Sequence, residues 1–248
     1  MSKHFSIYRA FPRPFALPPI ILSGVSRLPR RNYYTEEDQS TFLGSFLENH
    51  QPPQSTVDHF SSLAWTRKIL QDERYEIVPF FPRHFNARTG ENRFFAQTVN
   101  TATTIPHVLS LQRKDLRLPS GDETSAAVEL PTRPDVLCLM ALGRDLEEHP
   151  SIVHGGFQAV LFDEIMRFVV LLHHNRHCEP GPRNKHYTVN MSLSYRAPLI
   201  AQSDVFLRSR LVRREGRKWF TEAEIVDGSE RVLTVAESTW VTTKSSIA

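Results

Sequence analysis

Between His149 and His174 the chain reads HPSIVHGGFQAVLFDEIMRFVVLLHH: a short loop, a glycine pair, then a helix apolar on nearly every side, interrupted by the acidic pair Asp163-Glu164. A helix hydrophobic all round belongs in the centre of a globular domain. After it the period changes from helical to two. Lys185–Tyr195, Asp204–Arg213, Arg217–Val226 and Arg231–Thr242 each alternate, as strands do when one face is buried. Val189, Met191, Leu193 and Tyr195 oppose Thr188, Asn190, Ser192 and Ser194; Val205, Leu207 and Leu211 oppose Phe206, Arg208 and Arg210. Glu215-Gly216 and Asp227-Gly228 mark hairpin turns, the second the stronger signal. The pattern predicts a four-strand antiparallel meander wrapped round one helix, an α+β architecture.

Upstream the signals are weaker. A short helix is expected between Thr35 and Gln54, ended by Pro52-Pro53, and a second from the cap region Thr56-Val57-Asp58 through Leu70. Tyr75–Pro82 is apolar but proline-punctuated, a packing arm rather than a central strand. Arg93–Val99 and Thr104–Leu111 read as strands, and Val136–Leu142 as a buried one. These divisions give a basic tail over 1–35, an N-terminal helical or irregular extension over 36–92, and one domain over 93–244.

Composition narrows the partners. Of 30 basic residues, Lys3, Arg9, Arg13, Arg27, Arg30 and Arg31 precede the first acid, Glu36. The remainder has 24 basic against 27 acidic residues, so the positive charge belongs to the tail and no nucleic-acid footprint is expected. The tail has the composition of a mitochondrial presequence, although Pro12, Pro14, Pro18 and Pro19 would break an amphipathic helix. Mitochondrial and cytoplasmic locations both stay open. No apolar run approaches the roughly 18–20 residues of a membrane span. Two cysteines, Cys138 and Cys178, make no disulfide framework.

The chemistry concentrates at the central helix. A helix N-terminus offers unpaired N–H groups and partial positive charge, and glycine lets a ligand approach the backbone closely. The amides of Gly155 and Gly156 are therefore candidates to hold an oxyanion, and Asp163 is a candidate general base or nucleophile. Gly156 and Asp163 are seven residues apart, roughly 10 Å along a helix. Two helices packed antiparallel across a twofold axis would bring glycines of one subunit to the aspartate of the other.

His154-Gly155-Gly156, Ala159 and Asp163-Glu164, together with the strand Thr188 to Leu199 ending in Tyr195-x-x-Pro198 and the hairpin Glu215 to Phe220, resemble the hotdog-fold acyl-CoA thioesterase family. The likeness is to its phenylacetate-pathway and mitochondrial branch, and Phe95 to Leu111 is similar to segments in fungal members. The resemblance spans about residues 94–243. It implies a hotdog fold, hydrolysis of an acyl-CoA or other acyl thioester, no cofactor or metal, and a homodimer or dimer of dimers with active sites at the interface. It also implies that Thr188 stands beside the attacking water or bonds Asp163, and that His154 has a direct role or fixes the loop.

Other clusters carry less. Arg213, Arg214, Arg217 and Lys218 flank a hairpin and are either a solvated turn or contacts for coenzyme A phosphates. His173-His174-x-x-His177-Cys178 fits no standard zinc spacing. Arg167 departs from the family's small residue after the acidic pair, and would narrow the acyl channel, pair with an acidic substrate tail, or face the dimer surface. Two rival functions remain at this stage: a catalytically silent acyl-binding protein of the same fold, and a hotdog hydratase or dehydratase using His154 and Asp163.

Overall fold

The computed structural model describes residues 39–87, 90–119, 133–178 and 185–243, all within the unit Tyr33–Ala248. The basic tail lies outside the described residues. The helix expected from the all-round apolar run is α4, Gly155–His177. Its residues Phe162, Ile165, Met166, Phe168, Val169 and Val170 are completely buried.

Seven strands form one antiparallel sheet in the order β1-β2-β3-β7-β8-β9-β6. They are β1 (Tyr75–Val78), β2 (Val108–Arg113), β3 (Val136–Leu142), β6 (Lys185–Tyr195), β7 (Ser203–Glu215), β8 (Lys218–Asp227) and β9 (Val232–Thr243). The small strands β4 (Glu147–His149) and β5 (Ile152–Val153) pair with each other just before α4. The sheet curls round α4, which is the hotdog arrangement. Thr234 Oγ1 and Ser238 Oγ on β9 donate to Gln158 Oε1 (2.6 Å) and Met166 Sδ (3.2 Å) on the helix.

Two features correct the sequence reading. The last four strands are not a simple meander: β7, β8 and β9 pair in succession, but β6 pairs with β9 and forms the free edge. Alternation fixes which face of a strand is buried and is blind to which neighbour it finds. Arg93–Val99 is not a strand; Phe94–Thr98 is a single wide helical turn. Its Phe95 is buried while Phe94 is exposed, a contrast that a short helical turn and a strand produce equally.

The extension covers both sides of the sandwich. On the outer sheet face, α2 (Gln54–Ser62) and the short α3 (Arg67–Leu70) pack Phe60, Trp65 and Ile69 against Leu109, Leu139 and Phe206. These are two helices rather than the expected one, because the chain turns extended at Leu63. On the inner side, α1 (Gln39–Asn49) and the turn Phe81–Arg83 lie along α4, with Phe80 edge-on to Phe168 at 5.4 Å. The Asp227-Gly228 turn also differs in detail: Glu230, not the glycine, takes positive φ (65°). Gly228 gives the Trp65 indole room, since a Cβ there would lie 3.0 Å from the indole nitrogen.

Candidate functional site

The loop entering α4 is tied down by backbone bonds from Val153 N–H to Leu199 O (2.9 Å) and His154 N–H to Leu146 O (2.8 Å). His154 is the N-cap, with φ −52° and ψ 129°, and its Nδ1 accepts the Gly156 N–H at 2.8 Å. This caps one of the helix's orphan donors with a ring in place of the usual serine or aspartate. Accepting at Nδ1 puts the neutral ring's proton on Nε2, which faces Glu148 Oε1 at 3.7 Å. A Cβ at Gly156 would meet His154 Cε1 at 3.0 Å, so a larger residue there crowds the capping ring. Tyr195, at the end of β6, donates its hydroxyl to Gly155 O at 2.9 Å.

Two turns further along, Thr188 Oγ1 donates to Asp163 Oδ1 at 2.6 Å. A β-bulge makes this contact. The β6–β9 register slips between Thr188 and Asn190, so Thr188 shares the inward face with Met191, Leu193 and Tyr195 instead of opposing them. Bulges re-aim side chains in this way, frequently beside functional sites. The donated bond leaves Oδ2 and the threonine lone pairs available to a water.

Glu164 turns to the extension. Burial pushes its carboxyl up to about 7, against the lowering influence of Arg167 and reinforced by the charge of Asp163. Arg167 Nη1 stands 3.9 Å from Glu164 Oε2 and donates to Asn92 Oδ1 at 3.3 Å. Near the C-terminal half of α4, burial pushes the His186 imidazole down to about 3, and His174 and Arg167 lower it further.

The structure therefore brings together His154 with Gly156 and Thr188 with Asp163, while the glycines and Asp163 stay about two turns apart on one helix. Arg213, Arg214, Arg217 and Lys218 lie at the β7–β8 hairpin, at the opposite end of α4 from the glycines: neighbouring Trp219 is 6.0 Å from His174. Arg213 pairs with Glu215 (2.8 Å), Arg214 lies 4.4 Å over Trp219, and Arg217 donates to Thr242 O. The histidine cluster is dispersed. His173 Nε2 is 2.8 Å from Asp135 Oδ2, whereas His177 Nε2 is 3.2 Å from Leu116 O. Among the described residues no group of three or more side chains is arranged to hold a metal. Tyr195 stood out in the sequence only as the tyrosine of the Tyr-x-x-Pro strand ending, with no site role attached, and nothing in the sequence marked Asn92.

Residues 151–234 match the model of the thioesterase superfamily, and the fold around this segment is the hotdog arrangement of a sheet curled about one helix. The chain is 31% identical over 112 residues to the uncharacterized mitochondrial membrane protein FMP10 of Saccharomyces cerevisiae, covering 44% of this chain and 43% of that one. It is 24% identical over 213 residues to verlamelin biosynthesis protein B of a Lecanicillium species, covering 76% and 88%. Thus it spans less than half of the first relative and most of the second. A solved structure of thioesterase superfamily member 2 from Mus musculus superposes with a TM-score of 0.38 at 15% identity, over 53% of this chain and 100% of that one. Among the described residues no helix is long and apolar enough to cross a membrane.

Proposed function

We propose that this domain hydrolyses an acyl thioester, such as an acyl-CoA, to the free acid and thiol. The observation that carries the reading is the Thr188–Asp163 pair: a carboxylate held at 2.6 Å by a hydroxyl that a strand irregularity turns toward it. Asp163 Oδ2 takes a proton from water as that water adds to the thioester carbonyl, and returns it to the thiolate when the tetrahedral intermediate breaks its C–S bond; alternatively the carboxylate adds to the carbonyl itself and expels the thiolate, and water then cleaves the resulting anhydride. Thr188 fixes the carboxylate in either case. The developing oxyanion goes to the start of α4, where the Gly155 and Gly156 amides and the helix dipole favour negative charge. There the oxyanion competes with His154 Nδ1 for the Gly156 N–H.

The glycines and Asp163 are roughly 10 Å apart along the helix, so we assign them to two sites, each completed by a second copy. The free edge supports that assembly. β6 carries Tyr187, Val189 and Tyr195, exposed by 52%, 59% and 56%, on a strand with one unpaired side, and such an edge is a template for pairing. The cationic hairpin of the second copy, which antiparallel packing of the two helices would carry to the glycine end of the first, is our candidate for the coenzyme A phosphates, with Arg217 and Lys218 the residues whose loss would raise KM. The relationship to a yeast mitochondrial membrane protein, together with the basic tail, favours a mitochondrial location.

Free-thiol release over acyl-CoAs of increasing length tests the reaction. General-base contributions are about 10²–10⁴-fold, and Asp163→Asn is expected to lower kcat by that amount. Turnover of none of the thioesters, or full activity in the variant, would overturn the proposal.

A further inference from the structure

The extension fixes Arg167. Asn92 has φ 61°, the left-handed region that asparagine tolerates better than most residues. Its amide nitrogen donates to Phe81 O (3.2 Å) and His84 O (3.0 Å), which leaves Oδ1 turned to the guanidinium. The bond to Asn92 uses one of five N–H donors. The contact with Glu164, at 3.9 Å, is beyond hydrogen-bond distance. Among the described residues Glu164 Oε2 is buried and has no hydrogen-bond partner. Other arginines have a carboxylate at hydrogen-bond distance: Arg113 has Asp135 at 2.8 Å and Arg210 has Glu222 at 2.6 Å. At neutral pH, moreover, Arg167 faces a carboxyl that burial holds near 7, so its charge is only partly balanced.

Arg167 also stands in line with the chemistry. It is one helical turn beyond Asp163, on a neighbouring part of the same face. Along that line Gly156 is exposed, Asp163 and Arg167 are both partly buried, and His174 is buried; the Arg167 side chain is 21% exposed. A thioester reaching Asp163 from the Gly156 end would lay its acyl chain toward Arg167; beyond Arg167 the neighbouring Val170 and Leu171 are buried.

We propose that Arg167 closes the acyl site and selects chains that end in a carboxylate, so that the substrates are monothioesters of short dicarboxylic acids. This rests on the hydrolase reading of Asp163. A separation of about 5–6 Å between side chains one turn apart suits a carboxylate about three to five bonds from the thioester carbonyl. The guanidinium fork matches a carboxylate bidentately. A methyl-ended chain of the same length strips water from the cation and returns no hydrogen bond, which disfavours it.

The test is binding to the full chain carrying Asp163→Asn, so that thioesters persist, with glutaryl-CoA and pentanoyl-CoA as length-matched probes followed by calorimetry. Glutaryl-CoA is expected to bind at least about tenfold tighter, a gap of roughly 1.4 kcal/mol. Adding Arg167→Met should bring the ratio close to one, and Arg167→Lys should keep part of it. Because each variant is read as a ratio between two probes, partial loss of folded protein does not affect the result. Equal binding of the two probes, or a preference that survives Arg167→Met, overturns the proposal. Thiol release by the unmodified protein is measured in parallel: a preference in binding without release supports the acyl site and removes the hydrolase reading.

Discussion

At the scale of single residues, the site depends on hydrogen bonds whose removal has distinct signatures. Thr188→Val keeps the shape and loses the bond to Asp163 Oδ1. We expect kcat to fall about tenfold, on the order of one hydrogen bond to a charged group, while Thr188→Ser restores most of it. Unchanged kcat in the valine variant would show that Asp163 needs no such support. Glu164 gives a prediction in pH. Its carboxyl is held up to about 7 from an ordinary 4.5, so between those values the folded state binds more protons than the unfolded one, and stability falls as pH rises. At about 1.4 kcal/mol per pH unit, the buried carboxylate costs on the order of 3 kcal/mol by pH 8. Glu164→Gln should therefore stabilise more at pH 8 than at pH 5 in urea unfolding; a gain independent of pH contradicts this. His186 acts in the opposite sense: its folded value lies near 3, below 6.5, so its contribution is present above about 6.5 and is lost as pH falls toward 3.

At the scale of elements, the long periodic segments were legible in the sequence. The run beginning at the glycine pair became α4, and Val136–Leu142 and Lys185–Tyr195 became strands over those same residues. Each owes its identity to a local pattern that burial enforces. What was not legible depended on distant partners or on one inserted residue. Simple alternation set Thr188 opposite Met191 and Tyr195, and the bulge beside Val189 puts them on one face. The proposed pairing of Thr188 with Asp163 thus came from resemblance, and the geometry that makes it possible came from the fold. Deleting Val189 removes the inserted residue, so Thr188 and Tyr195 can no longer both point inward. That deletion should abolish thiol release while the outer core of α2 with the sheet persists. Likewise, the role of Asn92 was invisible because it joins α4 across 75 positions of sequence. Packing between extension and helix is testable through Phe168, which is fully buried against Phe80: Phe168→Ala should cost about 3–5 kcal/mol in denaturant unfolding.

At the scale of the whole molecule, the domain is finished on one side and open on the other. The extension adds strand β1 at one end of the sheet and covers the outer face and one flank of α4. The opposite edge, β6, keeps its exposed apolar side chains and lies beside Asp163 through Thr188. A second copy on that edge would bury those side chains and supply the glycines that the first copy holds too far from its own aspartate. Sharing of each site between two copies is tested by mixing Asp163→Asn protein with Gly156→Pro protein and assaying verified heterodimers. Proline in the first turn of a helix leaves the hydrogen-bond ladder in place, so the second variant removes the Gly156 N–H and crowds the His154 cap without breaking α4. Each variant alone should be inactive, and the heterodimer should regain one intact site of two, about half the specific activity of the unmodified dimer. A verified heterodimer that stays inactive would contradict the shared site.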